Sequence, residues 1–396
     1  MRRLFAPVGP SRTPFASLAA LCLFVLAACQ LDKSAPGGGV DVGDGNATLS
    51  EGNDVLPTDG NVSQGLAPAG GNTATVNPNV APIAWPSLGF VNNPGGKEPN
   101  SVALSFDDVP DGSQIIKWGK ASPSNMAHVL DQLDALKLKA TFFMNARNWC
   151  DAKNDVQAQA DIKRMLAAGH AVASHTYSHP DLVPDTPRNR AAKAAGKLAA
   201  DILTPAQIKS QFVDNDEAFA DPKLLGPSLV PFTMYRAPFG YPFQNGIVWP
   251  PDERSIAEDV GGVAPYSSYN AVHVGWGIDS RDWECVQNEA SAAARIACIV
   301  GTVKQFLDKG ANGVILLHAI YKESGDALPQ IVDLIQKKNL KIVQVEDYVQ
   351  AKYGASSADI YRANAANPKP FDADAINAAA IAAAKESKWY KQINER

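Results

Sequence analysis

The chain has six histidines, and two of them stand four residues apart in His175-Thr-Tyr-Ser-His179. Imidazoles at that spacing can close on one metal ion at roughly 2.0–2.1 Å. Pro180 follows His179 and disfavours α geometry there, so the pair is expected on a tight loop rather than inside a helix. Asp107 and Asp108 are adjacent. On extended backbone neighbouring side chains point apart, so one carboxylate can hold a metal while the other faces a water beside it. Arg236, in Arg236-Ala-Pro-Phe239, offers a fixed fork of donors suited to orienting a carboxylate. Asp279-Ser-Arg-Asp282-Trp283 and Leu316-Leu-His318 add two acids, an indole and another imidazole. Taken singly, each has an ordinary reading: turn acids, a surface arginine, a helix cap, a core histidine. Together they contain the parts for metal-assisted hydrolysis with a general base and a general acid.

Each cluster follows a segment that reads as a strand. Val102–Phe106 precedes the aspartates, Ala171–Ser174 the histidine pair, Thr233–Tyr235 the arginine, Ala271–Trp276 the Asp279 cluster and Gly313–Leu317 the last histidine. Ala140–Met144 and Lys341–Val343 read as further strands. Helical periodicity appears over Pro123–Leu138 (Ser122 as N-cap), Ala160–Ala168, Thr204–Phe219, Ala290–Leu307 and Leu328–Lys338. Such alternation predicts an α/β fold with a buried parallel sheet, open or closed into a barrel. Sites in such folds lie at the C-terminal strand ends, where these clusters fall. Residues 182–233 and 243–268 are long connections of the kind that shape clefts.

Five motifs in this order resemble carbohydrate esterase family 4, the nodulation-factor-type polysaccharide deacetylases. Ser105-Phe-Asp-Asp108 is similar to Thr-Phe-Asp-Asp-Gly, and His175-Thr-Tyr-Ser-His179 to His-Ser/Thr-x-x-His. Arg236-Ala-Pro-Phe239 resembles Arg-x-Pro-Tyr, Asp279–Trp283 the Asp-x-x-Asp-Trp motif, and Leu316-Leu-His318 the final Leu-x-His. The resemblance spans about residues 101–348 and implies a distorted (β/α) barrel. It also implies roles: Asp108, His175 and His179 as metal ligands, Asp107 as general base oriented by Arg236, and His318 as general acid held protonated by Asp282. Phe239, Trp283 and Leu316 would contact substrate. The implied cofactor is a divalent metal, Zn2+ first, with Co2+ or Ni2+ as alternatives. Val109 replaces the usual glycine, Phe239 the usual tyrosine, and Ala319 an aspartate; none of these removes a ligand or an acid–base group.

The remaining sequence places this domain in a setting. With 396 residues, 45% hydrophobic and 19% charged, the chain is long and apolar enough for one large domain with appendages. A formal charge of −5 argues against a nucleic-acid partner. Arg2, Arg3 and Arg12 precede an apolar run, Leu18–Ala28, and then Cys29, the pattern of an export signal. Leu26-Ala-Ala-Cys29 resembles the bacterial lipobox, which predicts a lipid-anchored, exported protein, with Gln30 favouring a Gram-negative outer membrane. Residues 1–28 would be the signal, 29–100 a disordered Gly/Pro/Asn-rich linker, 101–354 the catalytic domain and 355–396 an Ala-rich helical extension. Ile83, Trp85, Leu88 and Phe90 are candidates to pack on the domain. Cys150, Cys285 and Cys298 allow one disulfide, Cys285–Cys298 closing the shortest loop, with pairings through Cys150 left open.

The expected protein is a monomeric enzyme removing acetyl groups from a polysaccharide, with N-acetylglucosamine polymers (chitin oligomers or peptidoglycan) first and acetylxylan second. A silent carbohydrate-binding lipoprotein and a small cyclic amide hydrolase are the competing readings. Trp118, Trp149, Tyr177, Tyr241, Trp249 and Tyr266 are candidates for stacking on sugar rings.

Overall fold

The structure is a computed structural model that describes residues 77–83, 89–91, 100–115, 120–121, 124–180, 182, 205–240 and 270–367. The export signal, most of the linker, Trp118, Tyr241, Trp249, Tyr266 and the tail 372–396 lie outside the described residues.

A nine-residue strand, β2 (Ser101–Val109), is buried along its whole length and organises the fold. It pairs with β10 (Gly313–His318) on one edge. On the other edge its first residues pair with β11 (Lys341–Val343) and its later ones with β5 (Thr141–Met144). β6 (Ala171–Ser174), β7 (Met234–Tyr235), β8 (Val272–Val274) and β1 (Gly89–Val91) continue from β5, and β9 (Ile278–Asp279) flanks β10. Every pairing in this nine-stranded sheet is parallel, which explains the continuous apolar runs: helices and inner residues cover both faces. The ends of the order, β1 and β9, are not paired with each other among the described residues. A short hairpin, β3 (Gln114–Ile115) and β4 (Lys120–Ala121), stands apart.

Alternation along the strands sorts the core into two layers. Val102, Leu104, Phe106, Phe142, Ile315 and Leu317 pack outward with the helices. Ala103, Phe143, Ala173, Met234, Val314 and Leu316 point inward with Val91 and Trp276. By the same parity Asp107, His175, Arg236 and His318 continue the inward set at the strand ends. The fold thus gathers them at one mouth.

The helices are α1 (Asn125–Leu136), α2 (Val156–Ala167), α3 (Pro205–Phe219), α4 (Asp282–Asn288), α5 (Ala292–Asp308), α6 (Lys322–Lys337), α7 (Val345–Tyr353) and α8 (Ser357–Ala366). Several bounds differ from the sequence expectation. α1 is capped by Ser124, not Ser122, because the Ser124 hydroxyl accepts from Ala127 N–H and also meets Asp111 and Asp161. α2 starts at Val156 behind its N-cap Asp155, whose carboxylate accepts from Ala158 N–H, a turn before the apolar period begins. α6 starts at Lys322, six residues before Leu328. Gly325 hides that first turn from a propensity reading, yet a Cβ there would lie 2.8 Å from His128 Cδ2, so the α1–α6 approach requires glycine.

The disulfide is Cys285–Cys298, joining α4 to α5, and Cys150 is a buried free thiol. Near the C-terminal end of residues 29–100, β1 is a sheet strand, Val80 and the packing candidate Ile83 lie on the inner layer, and Ile83 N–H donates to Asn364 at 2.7 Å. α8 lies inside the 355–396 extension and supplies that Asn364, so the folded unit also runs past residue 354. Among the described residues no helix is long and apolar enough to cross a membrane.

Candidate metal and acid–base site

The register of β2 against β10 pairs Asp107 with His318, so the proposed base and acid sit side by side on neighbouring strands. β2 shifts register against β5 between Phe106 and Val109, and Asp108 takes a left-handed backbone (φ 66°). That irregularity re-aims a side chain that regular pleating would point away. Both carboxylates consequently face His175: its Nε2 is 3.5 Å from Asp107 Oδ2 and 3.9 Å from Asp108 Oδ1. His179 Nε2 lies 3.4 Å from the same Asp108 Oδ1. The histidine loop is equally bent, with Thr176 and His179 at φ 71° and 57°. Among the described residues, four of the seven non-glycine residues with positive φ are Asp108, Thr176, His179 and Phe239, which concentrates backbone strain at this mouth.

The donor set fits a cation. His175 Nδ1 is 2.8 Å from the Arg236 carbonyl, which can only accept, so Nδ1 carries the hydrogen. In a neutral ring Nε2 then turns a lone pair towards two carboxylate oxygens, an arrangement that is favourable only around positive charge. Asp108, His175 and His179 each present one ligand atom, all within 4.8 Å of one another. Two imidazoles and a carboxylate form the kind of mixed N/O set that zinc accepts.

Arg236 crosses the barrel interior fully buried. Its guanidinium donates to Asp107 Oδ1 at 2.5 Å, Ser105 Oγ at 3.1 Å, and the carbonyls of Val274 and Gly275 at 3.1 and 2.9 Å. It lies 3.8 Å over the Phe143 ring and 5.4 Å from the Trp276 ring. Burial lowers the arginine's proton affinity, and the charge of Asp107 opposes this. One oxygen of Asp107 is thereby held while the other faces His175.

Asp282 opens α4 fully buried. Its Oδ1 accepts from His318 Nδ1 at 2.7 Å and Trp283 N–H at 2.8 Å. Its Oδ2 accepts from His318 N–H at 2.6 Å and Ser324 Oγ at 2.7 Å. Burial disfavours the imidazolium of His318, but the charge and hydrogen bond of Asp282, helped by Asp108 and Asp107, outweigh it and hold His318 up at about 10. A protonated imidazole thus stands beside Asp107 at neutral pH.

Phe239 packs edge-on to His179 with centroids 4.8 Å apart, and Trp283 is 41% exposed at the start of α4, free to meet a ligand. Leu316 is 4% exposed in the inner apolar layer, two residues before His318. Trp149 is buried with Ile320 and Tyr321, and Tyr177 packs on the outer core; neither is an exposed sugar platform. Asp279 accepts from Arg281 N–H and shapes the turn into α4. His170 accepts from Ala140 N–H and packs on Phe142. The motif reading missed Ser324 and the pair Asn145 and Asn148, although the asparagines follow a strand end as every other polar cluster does.

The chain is similar to several known proteins. The peptidoglycan-N-acetylglucosamine deacetylase of Bacillus cereus is 25% identical over 273 residues, 68% of this chain and 75% of that protein. A chitin deacetylase of Colletotrichum lindemuthianum is 38% identical over 85 residues, 22% of this chain and 29% of that protein. The solved structure of the chitin deacetylase from that fungal pathogen aligns over 67% of this chain and 92% of its own at 22% identity, with a TM-score of 0.44. The polysaccharide deacetylase family matches residues 95–250, which hold the aspartate pair, the histidine pair and Arg236. Over that segment the chain is similar to the polysaccharide deacetylase family.

Proposed function

We propose that the protein is a metal-dependent hydrolase that removes acetyl groups from N-acetylglucosamine units of an extracellular polymer, chitin oligomers or peptidoglycan. The observation that carries this reading is the paired Asp107 and His318, one fixed by a buried arginine and the other by a buried aspartate, beside a three-ligand cation site. A divalent cation, Zn2+ first, held by Asp108, His175 and His179 supplies Lewis acidity towards the acyl oxygen and a more acidic water. Asp107 accepts the proton of the attacking water, with Arg236 keeping its free oxygen aimed. His318 gives its proton to the departing nitrogen. An amine leaves poorly without that proton, so an imidazole held at about 10 suits an N-acetyl group better than an ester. Trp283 and Phe239 border the acyl side. Lipid anchoring at Cys29 of an exported chain, in a Gram-negative outer membrane, suits a polymeric external substrate and is supported by the Leu26–Cys29 sequence.

Two substitutions test the assignment by separating binding from turnover. Asp107→Asn should retain stoichiometric zinc and lose acetate release, whereas His175→Ala should lose both. Normal acetate release by either variant rejects the site.

A further inference from the structure

Asn148 is 7% exposed, and its Nδ2 lies 2.9 Å from Asp108 Oδ1, the oxygen that also faces His175 and His179. A carboxylate oxygen has two lone pairs, so an amide hydrogen on one leaves the other for a cation. The donor is neutral: a lysine or arginine at this place would cancel the charge that attracts the ion, whereas an amide orients the carboxylate and leaves its charge intact. The same Nδ2 is 3.3 Å from Asn145 Oδ1. Asn145, buried as well, donates from its side chain to the carbonyl of His175 and to that of Thr176 at 2.7 Å, and from its backbone to Val109 at 2.8 Å. Residues 145–148 therefore bind the Asp108 turn to the histidine loop. Both are held in left-handed backbone that persists only where neighbours over-determine it.

We propose that Asn148 is a positioning residue of the cation site, fixing Asp108 Oδ1 towards the two histidines, with Asn145 locking the histidine loop to the same frame. This rests on the metal reading above. The test uses the full chain and Zn2+ alone, with affinity measured by competition against a chromophoric chelator, the visible spectrum of Co2+ bound in place of zinc, and metal-free thermal unfolding. Asn148→Leu removes the donor at similar size. It should weaken zinc binding about 10–100-fold and alter the Co2+ spectrum, with the metal-free unfolding midpoint close to wild type. Asn148→Asp keeps the shape, puts an acceptor where the donor stood, and should also alter the Co2+ spectrum; it carries the test if the leucine variant does not fold. Wild-type zinc affinity and spectrum in a folded variant overturn the proposal, as does an affinity loss explained by metal-free unfolding. A wild-type chain that binds no zinc would instead overturn the metal reading itself.

Discussion

Asp282→Asn tests the acid half of the mechanism with a sign that the structure fixes. Asp282 raises His318 against burial, from an ordinary 6.5 to about 10. Neutralising the carboxylate leaves the burial and removes the main opposing charge, so the imidazole should fall well below its wild-type value. A raised histidine donates below its pKa and fails above it, so wild-type turnover should hold through neutral pH and decline on the alkaline side. A cation at Asp108 would offset the help from Asp108 and Asp107 and bring that decline below 10, without changing the direction of the variant's displacement. The variant's limb should move to lower pH, with kcat at pH 7.5 reduced by about 10²–10⁴-fold, the worth of one positioned acid. The assay is acetate release across pH 5–10 on an N-acetylglucosamine oligomer, zinc saturated. Because Asp282 accepts four hydrogen bonds, the variant should also lose about 1–3 kcal/mol of stability, readable by denaturant unfolding. A folded variant whose pH profile keeps the wild-type alkaline limb refutes the assignment of His318 as the acid tuned by Asp282.

Other substitutions probe the frame. Arg236→Met strands the buried Asp107 carboxylate without its partner and should cost about 3–5 kcal/mol as well as turnover, seen by urea unfolding and acetate release. Removing the Cys285–Cys298 bridge, which closes a 13-residue separation, should cost about 3 kcal/mol by chain entropy, measured as the fall in Tm of the double serine variant. Because that bridge ties α4 to α5, kcat should fall before KM changes. Gly112→Ala would place a Cβ 2.6 Å from Asp155 Oδ2 at a backbone φ of +64°, and should lower the urea midpoint by the equivalent of about 1–3 kcal/mol. An unchanged midpoint would mean that the turn after the aspartate pair relaxes freely.

The alternating segments and the clusters at their ends were legible because a parallel sheet buried on both faces leaves continuous apolar runs that stop where polar residues begin. Asp107, Asp108, His175, His179, Arg236, Asp282 and His318 are readable by type and order, and the barrel's inward parity brings Asp107, His175, Arg236 and His318 together. What stayed hidden depends on three-dimensional exceptions. The bulge at Asp108, which turns two adjacent carboxylates to one side, has no glycine to announce it. The Asn145–Asn148 link joins loops whose proximity exists only once β5 lies between β2 and β6. α4 and α7, seven and nine residues long, carry too little period to be read from the sequence. β1 was hidden in glycine- and asparagine-rich sequence, since a three-residue edge strand needs only backbone bonds.

The most direct test of the whole account is acetate release by the full chain from chitin oligomers, peptidoglycan and acetylxylan, with a chelator and then zinc added back. The account predicts release from the N-acetylglucosamine polymers that stops on chelation, returns with zinc, and exceeds release from acetylxylan. Release unaffected by chelation, or none from any polymer by a zinc-loaded chain, would contradict it.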